Sequence, residues 1–95
     1  MKIGKHVMMG PEVLIYTQNH DFSRTDIPMD QQGWSKERPV VIEDDVWIGS
    51  RVTILPGVII GRGSIVGASA VVTKSFPPYS VIAGNPANLV KSRKQ

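Results

Sequence analysis

A six-residue period in the aliphatic residues runs from the middle of the chain toward its end. Every sixth position is Ile or Val: Ile42, Ile48, Ile54, Ile60, Val66 and Val72. Four positions after each of these comes a second row of mostly small or β-branched residues: Val46, Val52, Val58, Ser64, Ala70 and Phe76. A period of six matches neither the 3.6-residue turn of an α-helix nor the two-residue alternation of a half-buried strand.

The residues between the two rows predict where the chain bends. Asp45, Gly57 and Gly63 each lie one position before the second row, where a corner favours a positive φ. Short β-branched strands joined by such corners wind into a parallel β-helix with three hexapeptides per triangular turn, and its turns stack at about 4.8 Å. The sequence therefore predicts an all-β chain whose Ile/Val row points into a prism.

The first residues carry the same period, which then fails once. Ile3, Met9 and Ile15 are six apart, but the next member, Ile42, follows only after 27 residues, which is not a multiple of six. A loop rich in charged and turn-forming residues must therefore leave the coil after about Thr17. We expect one short domain with four parts: coil 3–17, an extruded loop 18–39, coil 40–83, and a C-terminal turn with a basic tail 84–95.

Composition narrows the classes of partner. The net charge is +3, and Lys91, Arg93 and Lys94 account for all of it, so the tail is either a solvated terminus or a contact for an anionic ligand such as a polyphosphate. Nucleic acid is not expected, because no basic face with interleaved aromatic residues accompanies the tail. The chain has no cysteine, which excludes a thiolate metal site and fits a cytoplasmic location. No apolar run predicts a membrane span.

Three segments carry a resemblance to a known family: VLIYTQNHDF, VVIEDDVWIGSRVTILPGVIIGRGSIVGASAVVTK and PPYSVIAGNPANLV. With them the chain resembles the hexapeptide-repeat acyltransferases, in particular the branch of galactoside, maltose and surface-polysaccharide O-acetyltransferases. The resemblance implies a left-handed parallel β-helix that works as a homotrimer. It also implies acetyl-CoA as co-substrate in a groove between subunits, and a sugar or polysaccharide hydroxyl as the acceptor.

The resemblance implies that His20, at the start of the extruded loop, is the catalytic base. Acetyl transfer to a hydroxyl needs a group that takes the hydroxyl proton, and imidazole suits this role because it titrates near neutral pH. The alternative is a loop histidine without a chemical role. His6 lies at a corner of the first coil and is expected to be a solvated surface residue.

The positions that match the family's contacts to CoA are Ser50, Ala68, Thr73, Lys74 and Lys91. Two of them, Ser50 and Ala68, are 18 residues apart and should stack one turn above the other. Backbone N–H groups at the corners are expected to stabilise the oxyanion. Taken singly, these residues could equally be corner spacers and surface charges. The resemblance leads us to expect arginines at Asn88 and Lys91, so a weaker phosphate contact is predicted, for which Arg93 could compensate.

Both tryptophans are expected to have specific neighbours. Trp47 precedes a ladder position and should point outward, where it would pack in an inter-subunit wall or against the loop. Trp34 lies in the loop, where it either anchors the loop or caps an acceptor sugar by stacking.

The sequence leaves two alternatives to the acetyltransferase. A zinc carbonic anhydrase on this fold needs three histidine ligands, and only His6 and His20 exist, so no metal site is predicted. The other is a short non-catalytic trimer that binds CoA weakly or not at all. This interpretation follows from the start of the chain: Met1 and Lys2 lead directly into the repeat frame, whereas the resemblance implies earlier coil residues that contact the acceptor.

Overall fold

The computed structural model describes residues 1–94 and shows an all-β chain wound into a parallel β-helix. Gln95, the last residue of the predicted tail, lies outside the described residues. Most strands are only two residues long, because the chain turns a corner after each hexapeptide. The elements in chain order are β1 Lys2–Ile3, β2 Met8–Met9, β3 Leu14–Ile15, a 3₁₀ helix Met29–Gln31, β4 Val41–Ile42, β5 Trp47–Ile48, β6 Thr53–Ile54, β7 Ile59–Ile60, β8 Ile65–Val66, β9 Val71–Val72, β10 Ser80–Gly84 and β11 Ala87–Ser92.

The strands form the three faces of a prism. The first face has the order β1-β4-β7, the second β11-β10-β8-β5-β2, and the third β3-β6-β9. The strands pair in parallel along each face, except that β11 is antiparallel to β10. Ile42 stands opposite Ile60 and Ile48 opposite Val66, which is the 18-residue turn predicted from the period. The fold expected from the sequence is confirmed.

The chain turns at three corners, which we name by the faces they join. The first corner (residues 4–6, 43–45 and 61–63) joins the first and second faces, and the second corner (10–12, 49–51 and 67–69) joins the second and third. The third corner, at residues 55–57 and 73–75, joins the third face to the first. The predicted positive φ is found at Asp45, Gly57 and Gly63, with values of 56°, 79° and 71°.

The two aliphatic rows form the core. All six members of each row are buried, including the polar Ser64. Its hydroxyl accepts a hydrogen bond from the backbone N–H of Ser80 at 3.2 Å, so this buried oxygen is satisfied. In the first turn, by contrast, the inward residues Ile3 and Met9 remain 44% and 38% exposed, because β1, β2 and β3 are edge strands with no turn below them.

The last turn is shorter than the period predicts. Phe76, expected in the second inward row, instead stands opposite Ile60 in the ladder row, and Val81 pairs with Ile65 after 16 residues rather than 18. Since Phe76 is nevertheless buried, its larger side chain fills the interior where the turn is cut short.

The C-terminal segment is more ordered than a basic tail. Residues 87–92 form β11, which runs antiparallel to β10 and joins the second face. Backbone pairing therefore holds this segment through Ser92. Within residues 1–94 no helix is long and apolar enough to cross a bilayer.

Candidate active site

The extruded loop leaves the coil after β3, at the third corner, and its two arms run antiparallel. At the base, the N–H of Arg38 donates to the carbonyl of Thr17 at 2.8 Å. Farther out, the N–H of Ser35 donates to the carbonyl of Asn19 at 2.8 Å. The hydroxyl of Ser35 also accepts a bond from the N–H of Asn19 at 3.2 Å. The arms are therefore joined by hydrogen bonds along their length.

His20 comes directly after the Asn19–Ser35 bonds, opposite Trp34. The N–H of Asp21 donates to the carbonyl of Gly33 at 2.9 Å, which closes the pairing on the outer side. The imidazole and indole rings stack with centroids 4.0 Å apart and planes inclined by 21°. Both side chains are exposed, so the stack is open to solvent.

The tip of the loop is organised by polar side chains. The amide of Gln32 donates to the carbonyls of Arg24 and Ile27 at 2.8 and 2.9 Å, and its oxygen accepts from the N–H of Arg24. Arg24 also forms an ion pair with Asp26 at 2.5 Å, which lowers the pKa of the Asp26 carboxyl from its ordinary value of 3.8. The N–H of Ser23 donates to Asp21 and lowers the pKa of that carboxyl in the same way.

A groove runs along the second corner. Five of its lining residues are glycines or small residues and three are larger apolar residues: Gly10, Gly49, Ser50, Gly67, Ala68, Trp47, Ile65 and Val66. Ser50 and Ala68 lie one turn apart here, as predicted, and the N–H of Ser69 donates to the carbonyl of Ser50 at 2.8 Å. Within the described part of the chain, no hydrogen bond engages the backbone N–H of Ser50 or Ala68. Both groups are therefore unused donors beside the groove.

The other residues predicted to contact CoA lie elsewhere. Thr73 and Lys74 are exposed at the third corner, and the Lys74 ammonium lies 5.6 Å from the centre of the Phe76 ring. Lys91 is exposed on β11, opposite Val81. The guanidinium of Arg93 donates to the carbonyl of Gly63 at 2.7 Å, so this side chain is held at the first corner.

Within one chain, the predicted site residues therefore lie in separate groups, chiefly at two corners, and do not form one site. Ser50 and Ala68 share the second corner, while Thr73 and Lys74 share the third corner with the His20 loop. The third face separates the two corners, and the five residues from Ala68 to Thr73 span roughly 16 Å of extended chain. No residue of the loop lines the second-corner groove within residues 1–94.

Some features of the site were missed from the sequence. The stack of His20 on Trp34 joins residues 14 apart in an irregular loop, and no periodic signal marks such a pair. Trp47 points outward as predicted and is 52% exposed, but it borders the groove rather than the loop.

His6 lies at the first corner with φ 60° and is exposed. In the described residues, no group of three or more His, Cys, Asp or Glu side chains could hold a metal ion.

The repeat region is similar to that of known transferases. Residues 39–74 match the family described as bacterial transferase hexapeptide (six repeats). These residues carry the repeat of the hexapeptide-repeat acyltransferase family, and the chain is similar to members of that family. The chain is 42% identical over 84 residues to a galactoside O-acetyltransferase of Lactococcus lactis. The matched residues make up 88% of this chain and 39% of the relative.

Two solved structures of the family share the fold, the left-handed parallel β-helix. A hexapeptide-repeat acetyltransferase of Vibrio cholerae, complexed with acetyl-CoA, has a TM-score of 0.87 and 41% identity over 98% of this chain and 49% of the other. A maltose O-acetyltransferase of Clostridium difficile has a TM-score of 0.81 and 42% identity over 94% of this chain and 46% of the other. The chain spans about two fifths of the length of the curated relatives it matches.

Proposed function

We propose that the chain carries an acetyl-CoA-dependent acetyltransferase activity that uses His20 as the general base. The observation that supports this most is the second-corner groove, where two backbone N–H groups of Ser50 and Ala68 have no partner within residues 1–94. A pantetheine arm carries amides that could accept such bonds, and small residues let it approach the backbone closely. The likeness to a structure complexed with acetyl-CoA supports acetyl-CoA as the co-substrate.

The separation of the two corners supports an active site shared between subunits. The loop with His20 leaves the third corner, whereas the groove follows the second, and the third face lies between them. In a homotrimer the loop of one subunit would approach the groove of the next, which brings the base to the thioester. The outward apolar side chains Trp47 and Ile59, 52% and 45% exposed, would find partners in such an assembly.

The reaction needs only one proton carrier. The acceptor hydroxyl oxygen attacks the thioester carbonyl carbon while an imidazole nitrogen of His20 takes the hydroxyl proton. One of the two unused N–H groups at the second corner would stabilise the negative charge that forms on the carbonyl oxygen, and the other would bind an amide of the pantetheine arm. The carbon–sulfur bond then breaks, and the CoA thiolate takes the proton back from the imidazolium. The products are an acetyl ester and free CoA.

The acceptor class rests on the relatives. The Lactococcus and Clostridium proteins are named for galactosides and maltose, so a sugar or polysaccharide hydroxyl is the acceptor we propose. Thr73, Lys74 and Lys91 would then contact the nucleotide end of CoA as cations or hydrogen-bond donors. The lack of cysteine is in keeping with a cytoplasmic reaction.

Calorimetric titration of acetyl-CoA into the purified chain, with the mass in solution measured alongside, tests the proposal first. One site per subunit in a trimer is expected. Turnover with a methyl galactoside and with maltose is then measured by the release of free CoA thiol. The chain itself adds no thiol background because it has no cysteine. A folded trimer that binds no acetyl-CoA would refute the enzyme and favour the non-catalytic remnant.

A further inference from the structure

The contact between His20 and Trp34 is specified by the backbone as well as by the rings. The two residues form an isolated antiparallel bridge, and hydrogen bonds of 2.9 and 2.8 Å between the arms close it on either side. Because both Cα positions are set in this way, the near-parallel stack at 4.0 Å follows from the loop's own pairing. The indole thus covers a defined face of the imidazole.

Burial and loop anchoring do not account for this tryptophan. Trp34 remains 61% exposed, so its ring gains little from leaving water. The loop is held instead by backbone bonds between its arms and by the side chains of Gln32 and Ser35. Since none of these bonds involves the indole, removing it should leave the loop conformation intact.

The geometry of the stack suits a base. The lone pair of a neutral imidazole nitrogen lies in the plane of the ring, so a partner on the face restricts rotation without blocking the edge that takes the proton. When the ring becomes an imidazolium, the indole face offers the favourable side of a cation–π contact. A hydrogen-bonding partner in the plane would occupy one nitrogen, whereas the indole occupies neither.

We propose that Trp34 is a positioning residue: it holds the His20 imidazole so that the ring edge faces the acceptor hydroxyl. This inference rests on the proposed role of His20 as the base. It gives the exposed Trp34 a role in catalysis, which its low burial alone would not suggest. Its open face is free to contact the acceptor, but the positioning role requires only the stacked face.

Kinetics of three variants test the role. Trp34→Ala should lower kcat with the galactoside or maltose acceptor by about 10-fold or more, because a misplaced base loses much of its effect. Its KM for acetyl-CoA should stay within about 2-fold, since the indole does not line the groove. Trp34→Phe keeps an aromatic face and should recover most of kcat. Phe22→Ala removes another exposed aromatic side chain from the same loop, 69% exposed against 61% for Trp34, and should behave as wild type. An equal loss in Phe22→Ala, or no loss in Trp34→Ala, overturns the proposal.

A magnetic resonance experiment tests the stack without any turnover. In a His6→Asn background, His20 is the one remaining histidine, so its ring signals are unambiguous. Ring-current shifts and cross-relaxation between imidazole and indole protons are expected, and both should disappear in Trp34→Ala but persist in Phe22→Ala. If wild type binds no acetyl-CoA while these signals are present, the proposed enzyme fails, and the stack of His20 on Trp34 stands as a contact without a catalytic role. If the signals are absent, the inference fails whatever the activity.

Discussion

Gly49 lies directly beneath Ala68 of the next turn, so closely that a Cβ built on Gly49 would stand 2.7 Å from the backbone nitrogen of Ala68. Real Cβ atoms do not approach other atoms so closely, and here the obstacle is backbone rather than a flexible side chain. The absence of a side chain at residue 49 therefore permits the stacking of two turns along the candidate groove.

Gly49→Ala should destabilise the chain by about 1 to 3 kcal/mol, the cost of overpacking a closely packed site. Denaturant unfolding followed by circular dichroism measures it. Gly67→Ala is the matched control, because its added Cβ would meet the Cβ of Ala83 at 3.2 Å, a milder contact that a shift of a few tenths of an ångström relieves. A larger loss in Gly67→Ala than in Gly49→Ala would contradict the backbone contact as the cause.

Replacing the proposed base should separate chemistry from binding. His20→Ala is expected to lower kcat by about 10²-fold or more and to leave the acetyl-CoA dissociation constant nearly unchanged, as for the loss of a general base. His6→Asn, which removes the other histidine and keeps a residue tolerant of positive φ, should retain wild-type turnover. Parallel losses of stability and CoA affinity in His20→Ala would rule out the base assignment.

The buried serine pair gives a prediction about the core. Ser64→Ala leaves the backbone N–H of Ser80 without its 3.2 Å acceptor at a fully buried position. An unsatisfied buried donor costs about 1 to 3 kcal/mol, so the free energy of unfolding should fall by that amount. Ser75→Ala is the comparison, because it also removes the acceptor of a backbone N–H, that of Ile59 at 2.8 Å, but at an exposed position. Water can replace that bond, so a smaller loss of stability is expected. Equal effects of the two changes would argue against burial as the cause.

The tip of the loop should lose order in acid. The pKa of Asp26 is lowered by its pair with Arg24, and that of Asp21 by the Ser23 N–H, both below the ordinary 3.8. A carboxyl with a depressed folded pKa stabilises the folded loop above the unfolded value, and this contribution disappears as the pH falls through the folded value. Amide exchange in the loop should therefore accelerate below about pH 4 while the coil amides stay protected.

Asp26→Asn is the control for that experiment. It removes the ionisable group, so the Arg24 contact should be weaker at neutral pH and the acid-dependent change smaller. An unchanged pH dependence would show that the pair does not order the tip.

The coil was predictable because its signal is periodic. Six aliphatic positions at one spacing fix which side chains point inward, and a corner with positive φ was expected where Asp45 and Gly63 in fact have it. The shortened last turn was not predictable from the same count, because Phe76 fits either inward row by polarity. Its pairing with Ile60 depends on the two-residue shift in the turn that follows Val72.

The site was only partly predictable. Ser50 and Ala68 stack because they are one 18-residue turn apart, so their proximity could be read from numbering alone. The distance between their corner and the loop follows from the closed triangular path, which the repeat implies. The contact of His20 with Trp34 does not, since it depends on hydrogen bonds between two irregular arms.

The 18-residue turn fixes the positions of residues along the axis of the prism at intervals of one turn. Parts of the site can move relative to one another along the axis only in steps of one turn, about 4.8 Å, because any smaller shift breaks the ladder of backbone bonds. A step of that size exceeds the sub-ångström tolerance of a reacting geometry. Under the proposed function, we therefore expect a change of acceptor to alter the loop's length and sequence and to keep the number of turns between loop and groove.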